Sequence, residues 1–199
     1  MHIKIFLFTL LLCFSTVSAH AGGDPAAGKI KAYTCTGCHG IVGYKNTYPT
    51  YHVPRIGGQN AEYLVISLKA FRTGERTHKN MNLQAEALSD QDMEDIAVYL
   101  NAQTDQPSAG SAGSAARGQS KSEVCHACHG ATGNAVQTIY PNLGGQHQDY
   151  LEKTLRAFRD GSRPNAIMAG FATNLSDTDI EDLAAWYSSQ SGLTEIQDK

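Results

Sequence analysis

Residues 35–40 read CTGCHG and residues 125–130 read CHACHG, so Cys35-x-x-Cys38-His39-Gly40 recurs 90 positions later as Cys125-x-x-Cys128-His129-Gly130. The match extends beyond the motif. Residues 54–59, PRIGGQ, recur as 141–146, PNLGGQ, and KAFR at 69–72 recurs as RAFR at 156–159, both at an offset of 87. Leu88-Ser89-Asp90 recurs as Leu175-Ser176-Asp177 at that same offset. The change from 90 to 87 places a three-residue insertion in the first copy, between Gly43 and Pro54. A chain built this way is a duplication, with each copy read as its own domain. The fold must therefore suit a unit of only about 80 residues. A core that small is marginal unless a disulfide, metal or large cofactor completes it.

The four motif cysteines are also the only ones left once the N-terminus is accounted for. Lys4, the apolar run at residues 5–17 and Ala19-His20-Ala21 have the form of a secretory signal with its small-x-small cleavage site. The run is shorter than the roughly 20 residues of a membrane span, so a cleaved signal over residues 1–21 is expected in preference to an uncleaved anchor. Cys13 follows Leu12, deep in the apolar run, and does not fit a lipoprotein signal. Cleavage after Ala21 leaves 178 residues, with 15 of the 16 basic side chains against 19 acidic ones. That mild acidity argues against a nucleic-acid binder, which presents a basic face, and against a general membrane-surface binder. No later stretch is apolar enough to span a membrane, so the exported chain is expected to be soluble, periplasmic and monomeric.

The organisation expected is all-α: domains at residues 22–102 and 117–199, joined by a flexible linker at 103–116, QTDQPSAGSAGSAA. Asp24-Pro25 reads as an N-cap with a first-turn proline, starting a helix that runs toward Cys35. Residues 60–72 place Leu64, Leu68 and Phe71 at helical spacing. Ser89 and Ser176 read as N-caps of a last helix, with Leu88/Met93 and Leu175/Ile180 as hydrophobic staples.

Three readings of the cysteines compete. A zinc site would need ligands from both pairs, 90 residues apart across the linker. A thioredoxin-like pair would need a preceding strand and an α/β fold, and an exported chain also admits a disulfide. None of these needs a histidine directly after both pairs. Cys-x-x-Cys-His is the attachment pattern of c-type haem. Two thiols one turn apart reach the two vinyl groups on one porphyrin edge, and the next histidine turns its ring to the iron. Two covalent haems, on Cys35/Cys38 and Cys125/Cys128 with His39 and His129 as iron ligands, are the reading carried forward.

The repeat then screens candidates for the sixth ligand. Met81 and Met168 correspond at 87, each in a polar, non-periodic stretch read as a loop, whereas Met93 corresponds to Ile180 and is a core position. His52, His78, His126 and His147 fall opposite Ile139, Asn165, Thr36 and Asn60, so none recurs as histidine, and all four read as exposed polar residues. Met81 and Met168 are the expected ligands. A soft thioether favours ferrous iron and raises the potential relative to a second imidazole. Two filled coordination shells describe a one-electron carrier rather than an enzyme.

The paired Cys-x-x-Cys-His motifs, the Pro-x-(Leu/Ile)-Gly-Gly-Gln stretches, the two late methionines and the Leu-Ser-Asp helix starts resemble those of the di-haem cytochrome c4 family, over essentially the whole chain after residue 21. The resemblance implies two cytochrome c domains related by a pseudo-twofold with their haems close together. It also implies periplasmic electron transfer from a quinol-oxidising complex or dehydrogenase toward a terminal oxidase. A subunit of a dehydrogenase complex is the alternative role. By the same resemblance the carbonyls of Pro54 and Pro141 accept a hydrogen bond from the ligand histidines. Arg72, Arg76, Arg159 and Arg163 recur and either meet haem propionates or lie on solvated helix ends. Tyr44, Tyr48 and Tyr51, in the insertion, distinguish the first copy from the second.

Overall fold

Each repeat begins with a capped helix. In the computed structural model, which describes residues 22–103 and 115–197, Asp24 accepts from the Ala26 amide at 2.8 Å, and Pro25 opens α1 (Pro25–Lys31). The first repeat continues with α2 (Tyr33–His39), α3 (Ala61–Thr73), α4 (Lys79–Glu86) and α5 (Asp90–Asn101). The second has α6 (Ala115–Lys121), a 3-10 turn (Ser122–Cys125), α7 (His126–His129), α8 (Gln148–Arg159), α9 (Ala166–Ala172) and α10 (Asp177–Ser188). Among the described residues there is no strand, only isolated bridges between Lys45 and His52 and between Gly57 and Thr194. The chain is all-α. The signal segment and most of the linker stretch lie outside the described residues, and α6 takes in the last two residues of the expected linker.

The last helices form as their sequence dictates. Ser89 and Ser176 each accept from the amide three residues on, and Asp92 and Asp179 reach back to the capping serine's amide, closing two capping boxes. Leu88 packs in the cluster of Phe71, Ala85 and buried Met93, as a staple requires.

In each repeat the first helix crosses the last at a glycine. A methyl group on Gly28 would sit 2.0 Å from the Asp95 carbonyl oxygen, and one on Gly118 would sit 1.9 Å from that of Asp182. Only a residue without Cβ permits so close an approach. Flanking the crossing, Lys31 pairs with Asp95 and, at 2.7 Å, with Asp92, while Lys121 holds Asp179 and Asp182, both at 2.7 Å. These lysine–aspartate sets also recur at offsets of 90 and 87, a signal the sequence carried and the motif reading passed over.

The two repeats pack against each other with pseudo-twofold reciprocity. Gln59 donates to the Asn142 carbonyl (3.0 Å) and accepts from its amide (2.8 Å), and Gln146 makes the same two bonds with Arg55 (both 2.9 Å). The side chains of Asn142 and Arg55 return donors to the Gly58 and Gly145 carbonyls at 2.9 and 2.6 Å. Arg76 reaches Tyr150 at 2.7 Å and Arg163 reaches Tyr63 at 3.1 Å. Each pair exchanges equivalent positions of the two repeats, the signature of an isologous contact.

Candidate haem-binding sites

The motif residues sit on short helices that divide their side chains between core and surface. In the first repeat the whole Cys35–His39 run lies on α2. Cys35 faces the core cluster around Leu64, Ile96 and Leu100, while Cys38 is exposed. In the second, Cys125 closes the 3-10 turn beside the cluster of Leu151, Ala184 and Tyr187, and Cys128 lies on α7. Burial pushes the Cys35 and Cys125 thiols up, the opposite of what a redox-active thiolate needs. Among the described residues no three His, Cys, Asp or Glu side chains converge on one point, so the two pairs do not assemble a zinc tetrahedron.

His39 and His129 are buried, at 8% and 7% exposure. Their Nδ1 atoms lie 2.7 Å from the Pro54 carbonyl oxygen and 3.0 Å from that of Pro141. A carbonyl only accepts, so Nδ1 carries the proton and donates, leaving Nε2 with its lone pair. Burial, only partly offset by the proline bond, pushes both rings down toward the neutral form. A neutral, oriented imidazole with a bare Nε2 is the donor an axial metal site requires. The insertion before Pro54 does not disturb this bond.

Met81 and Met168, read from sequence as loop residues, are instead in the first turns of α4 and α9. His78 Nδ1 accepts from the Met81 amide at 3.4 Å, and Asn165 accepts from the Met168 amide at 2.9 Å. Seven or eight residues are too few to display a 3.6-residue period, and a histidine cap is uncommon. The signal available was Asn165, three residues before Met168. Both methionines are half-buried, and Met81 packs beside Phe71, Ala85 and Met93. His78 and Arg76 lie close enough to His39 to lower its pKa, so the start of α4 comes near the first motif. The helices carrying the methionines also present Leu83, Ile167 and Phe171 outward. Exposed apolar side chains on the helices that carry the thioethers suit contact with a flat, apolar ring.

The four other histidines are not simply exposed. His78 caps α4, and His126 Nε2 is 2.8 Å from Ser122 Oγ. His52 binds Asp149 at 2.8 Å and stacks on His147, ring centroids 4.5 Å apart, at the domain interface. His78 shares its capping task with Asn165, whereas His52, His126 and His147 have partners that the repeat does not duplicate.

The four arginines separate into two kinds. Arg72 and Arg159 clamp helix ends, bonding Leu88 O and Asp90 (3.1 and 2.5 Å) and Leu175 O and Asp177 (2.9 and 2.7 Å). Arg76 and Arg163 line a cavity of about 360 Å³ between the domains, with Tyr63, Ser67 and Phe158. Burial would push the Tyr150 phenol up, but Arg76 and Arg163 outweigh it and hold it at about 8. Tyr51, from the insertion, is 5% exposed and covers the same interface, with its ring centroid 6.3 Å from that of Tyr150 and Lys153 4.9 Å above it.

Residues 26–104 match the family model described as Cytochrome c, and residues 114–186 match that of Cytochrome C oxidase, cbb3-type, subunit III. The cytochrome c4 of Pseudomonas aeruginosa is 36% identical over 92% of this chain and 96% of its own length. The chain belongs to the cytochrome c4 family. A crystal structure of reduced recombinant cytochrome c4 from Pseudomonas stutzeri superposes with a TM-score of 0.74 at 32% identity, over 84% of this chain and 99% of that one. A thiosulfate dehydrogenase electron acceptor from Stutzerimonas stutzeri is 30% identical over 86% of this chain and 83% of its own. Like other cytochromes c4, this chain is a di-haem c-type electron carrier rather than an enzyme. Its two cytochrome c domains carry covalently bound haem c. Among the described residues no helix is long and apolar enough to cross a membrane.

Proposed function

We propose that the protein shuttles single electrons in the periplasm, toward a terminal oxidase, through two haems attached at Cys35/Cys38 and Cys125/Cys128. In this reading His39 and Met81 ligate one iron, and His129 and Met168 the other. Haem c supplies a reversible ferric/ferrous couple when bound. The chain's own residues orient the ligands, exclude water and set the potential. The observation that carries the reading is the duplicated His–Pro bond, which leaves Nε2 of both histidines bare. Support for the methionines comes from their matching places in the first turns of α4 and α9. Support for Arg76 and Arg163 as partners of haem carboxylates comes from their place in the interdomain cavity. The apolar segment at residues 5–17 supports export.

Substituting an imidazole for the thioether separates this from other ligand sets. Met81→His or Met168→His is expected to lower one midpoint potential, abolish half of the methionine-to-iron charge-transfer absorption and leave the fold intact. Unchanged potentials in both variants would exclude the methionines as ligands.

A second reading, electron acceptor of a dehydrogenase, is favoured by the similarity to the thiosulfate dehydrogenase electron acceptor. Copurification with a dehydrogenase at fixed stoichiometry would establish it over a free carrier.

A further inference from the structure

The C-terminal tail does not stay with the repeat that produces it. Leu193 still bonds within the second domain, its amide donating to Gly144 O at 2.8 Å. From the next residue the tail's hydrogen bonds run to the first, with Glu195 also 3.5 Å from His147 of the second. Thr194 exchanges both backbone bonds with Gly57 (2.9 and 3.0 Å), Glu195 takes the Arg55 guanidinium at 2.9 Å, and the Gln197 amide donates to the Gln103 side chain at 3.1 Å. Between them the Ile196 amide donates to the carbonyl oxygen of His39 itself at 2.9 Å. The Ile196 side chain is 5% exposed and sits in the first domain's core with Ala32, Leu64, Ile96, Ala97 and Leu100, the cluster on which Cys35 packs. The fit is close: a methyl group on Gly40, the residue after His39, would lie 3.3 Å from Ile196 O.

Among the described residues the second repeat's core cluster shows no such visitor. Its equivalent cluster comprises Leu151, Ala184 and Tyr187 with Cys125, Leu143 and Trp186, all its own. Tyr187 stands where the first repeat has Leu100. The first domain's core thus includes a residue from the far end of the chain.

We propose that residues 194–197 are a working part of the first haem site, with Ile196 as a positioning residue that holds the Cys35–His39 helix and acts on the iron through His39. The inference deepens the proposed function, because its effect on potential rests on His39 being a ligand. It implies that docking of the two domains and completion of the first site are one event.

The test uses the full holoprotein, a chain ending at Leu193, and the point variants Ile196→Ala and Ile196→Val, which keep the tail should the truncation fail to fold. Amide exchange is read by mass spectrometry on the segments 33–40 and 123–130, and both midpoint potentials by spectroelectrochemical titration. Truncation is expected to speed exchange in 33–40 at least about tenfold. Ile196→Ala should speed it several-fold, with 123–130 unchanged, one potential displaced and Ile196→Val restoring both readouts. Unaltered exchange in 33–40, equal acceleration of both segments, or two unmoved potentials would overturn the proposal. Absence of low-spin, histidine-ligated iron from the intact chain would count against His39 as ligand, while the exchange contrast would still judge the tail's hold on the helix.

Discussion

At the centre of the domain interface, Gln59 and Gln146 make matching bonds to the backbones of Asn142 and Arg55. At its edge the same two-fold brings together unlike residues. On one side Thr138 donates to Glu62 at 2.6 Å and Asn60 donates to the Tyr140 carbonyl at 2.8 Å. On the other, the places of Glu62 and Asn60 are held by Asp149 and His147, with His52 across from them and Arg55 and Glu195 behind. One edge is a small set of neutral and single-charge contacts, and the other is a stacked imidazole pair within a ring of charges. Symmetric contacts fix how the repeats dock, since an error in register would break them in pairs. The asymmetric edge is expected to make that docking respond to pH.

The strongest test of the shared architecture is the helix crossing. Gly28→Ala and Gly118→Ala each force a methyl group into a backbone carbonyl, with the Cβ of Tyr99 or Trp186 also only 2.9 or 2.7 Å away. Overpacking against backbone is expected to destabilise by about 3 kcal/mol or more in either repeat. Urea unfolding with haem absorbance as the probe measures it, and a value near zero in one repeat would show that the two crossings are not equivalent.

Next in size is the reciprocal pair. Each glutamine satisfies three backbone groups: Gln59 those of Asn142 and the amide of Asn60, and Gln146 those of Arg55 and the amide of His147. Both are 5% exposed, so truncation strands buried donors and acceptors. Gln59→Ala and Gln146→Ala are each expected to cost about 2 kcal/mol, equal to within about 0.5 kcal/mol. A large inequality would mean that the tail, through Glu195 and Arg55, shares the load on one side only.

Much of this was legible before the fold was known. The repeat offsets located the haem motifs, the methionines and the serine caps, because each depends on residues close in sequence or on a duplicated requirement. What stayed hidden joins distant residues once. Ile196 meets His39 across the full span of both domains, His52 meets Asp149 across the interface, and neither pairing has a copy elsewhere to betray it. The glutamines were visible as a repeated Gly-Gly-Gln, but their task was not, since a polar residue repeated in a loop says nothing of the partner it reaches. The helices of Met81 and Met168 escaped for a local reason: they are too short to show their period.

The smallest effect expected is the one that separates the two edges. Burial pushes His147 down to about 4, with Arg55 and His52 adding to it and Glu195 and Asp149 opposing. Glu152 also lines this edge. Docking therefore favours the neutral ring. Its contribution is complete above the free histidine value of about 6.5 and is lost as pH falls from there toward 4. Glu195 and the buried Asp95 and Asp182 are held below their usual values, so they titrate beneath most of this window. Between pH 7 and pH 5 the wild-type protein should lose about 1–2 kcal/mol of stability from this group. His147→Asn, which installs the residue found at the other edge, should remove that dependence while leaving stability at pH 5 equal to or above that of wild type. Urea midpoints at the two pH values decide it. If the variant keeps the full pH dependence, the acid response lies elsewhere, and the two edges differ in composition without differing in what they do.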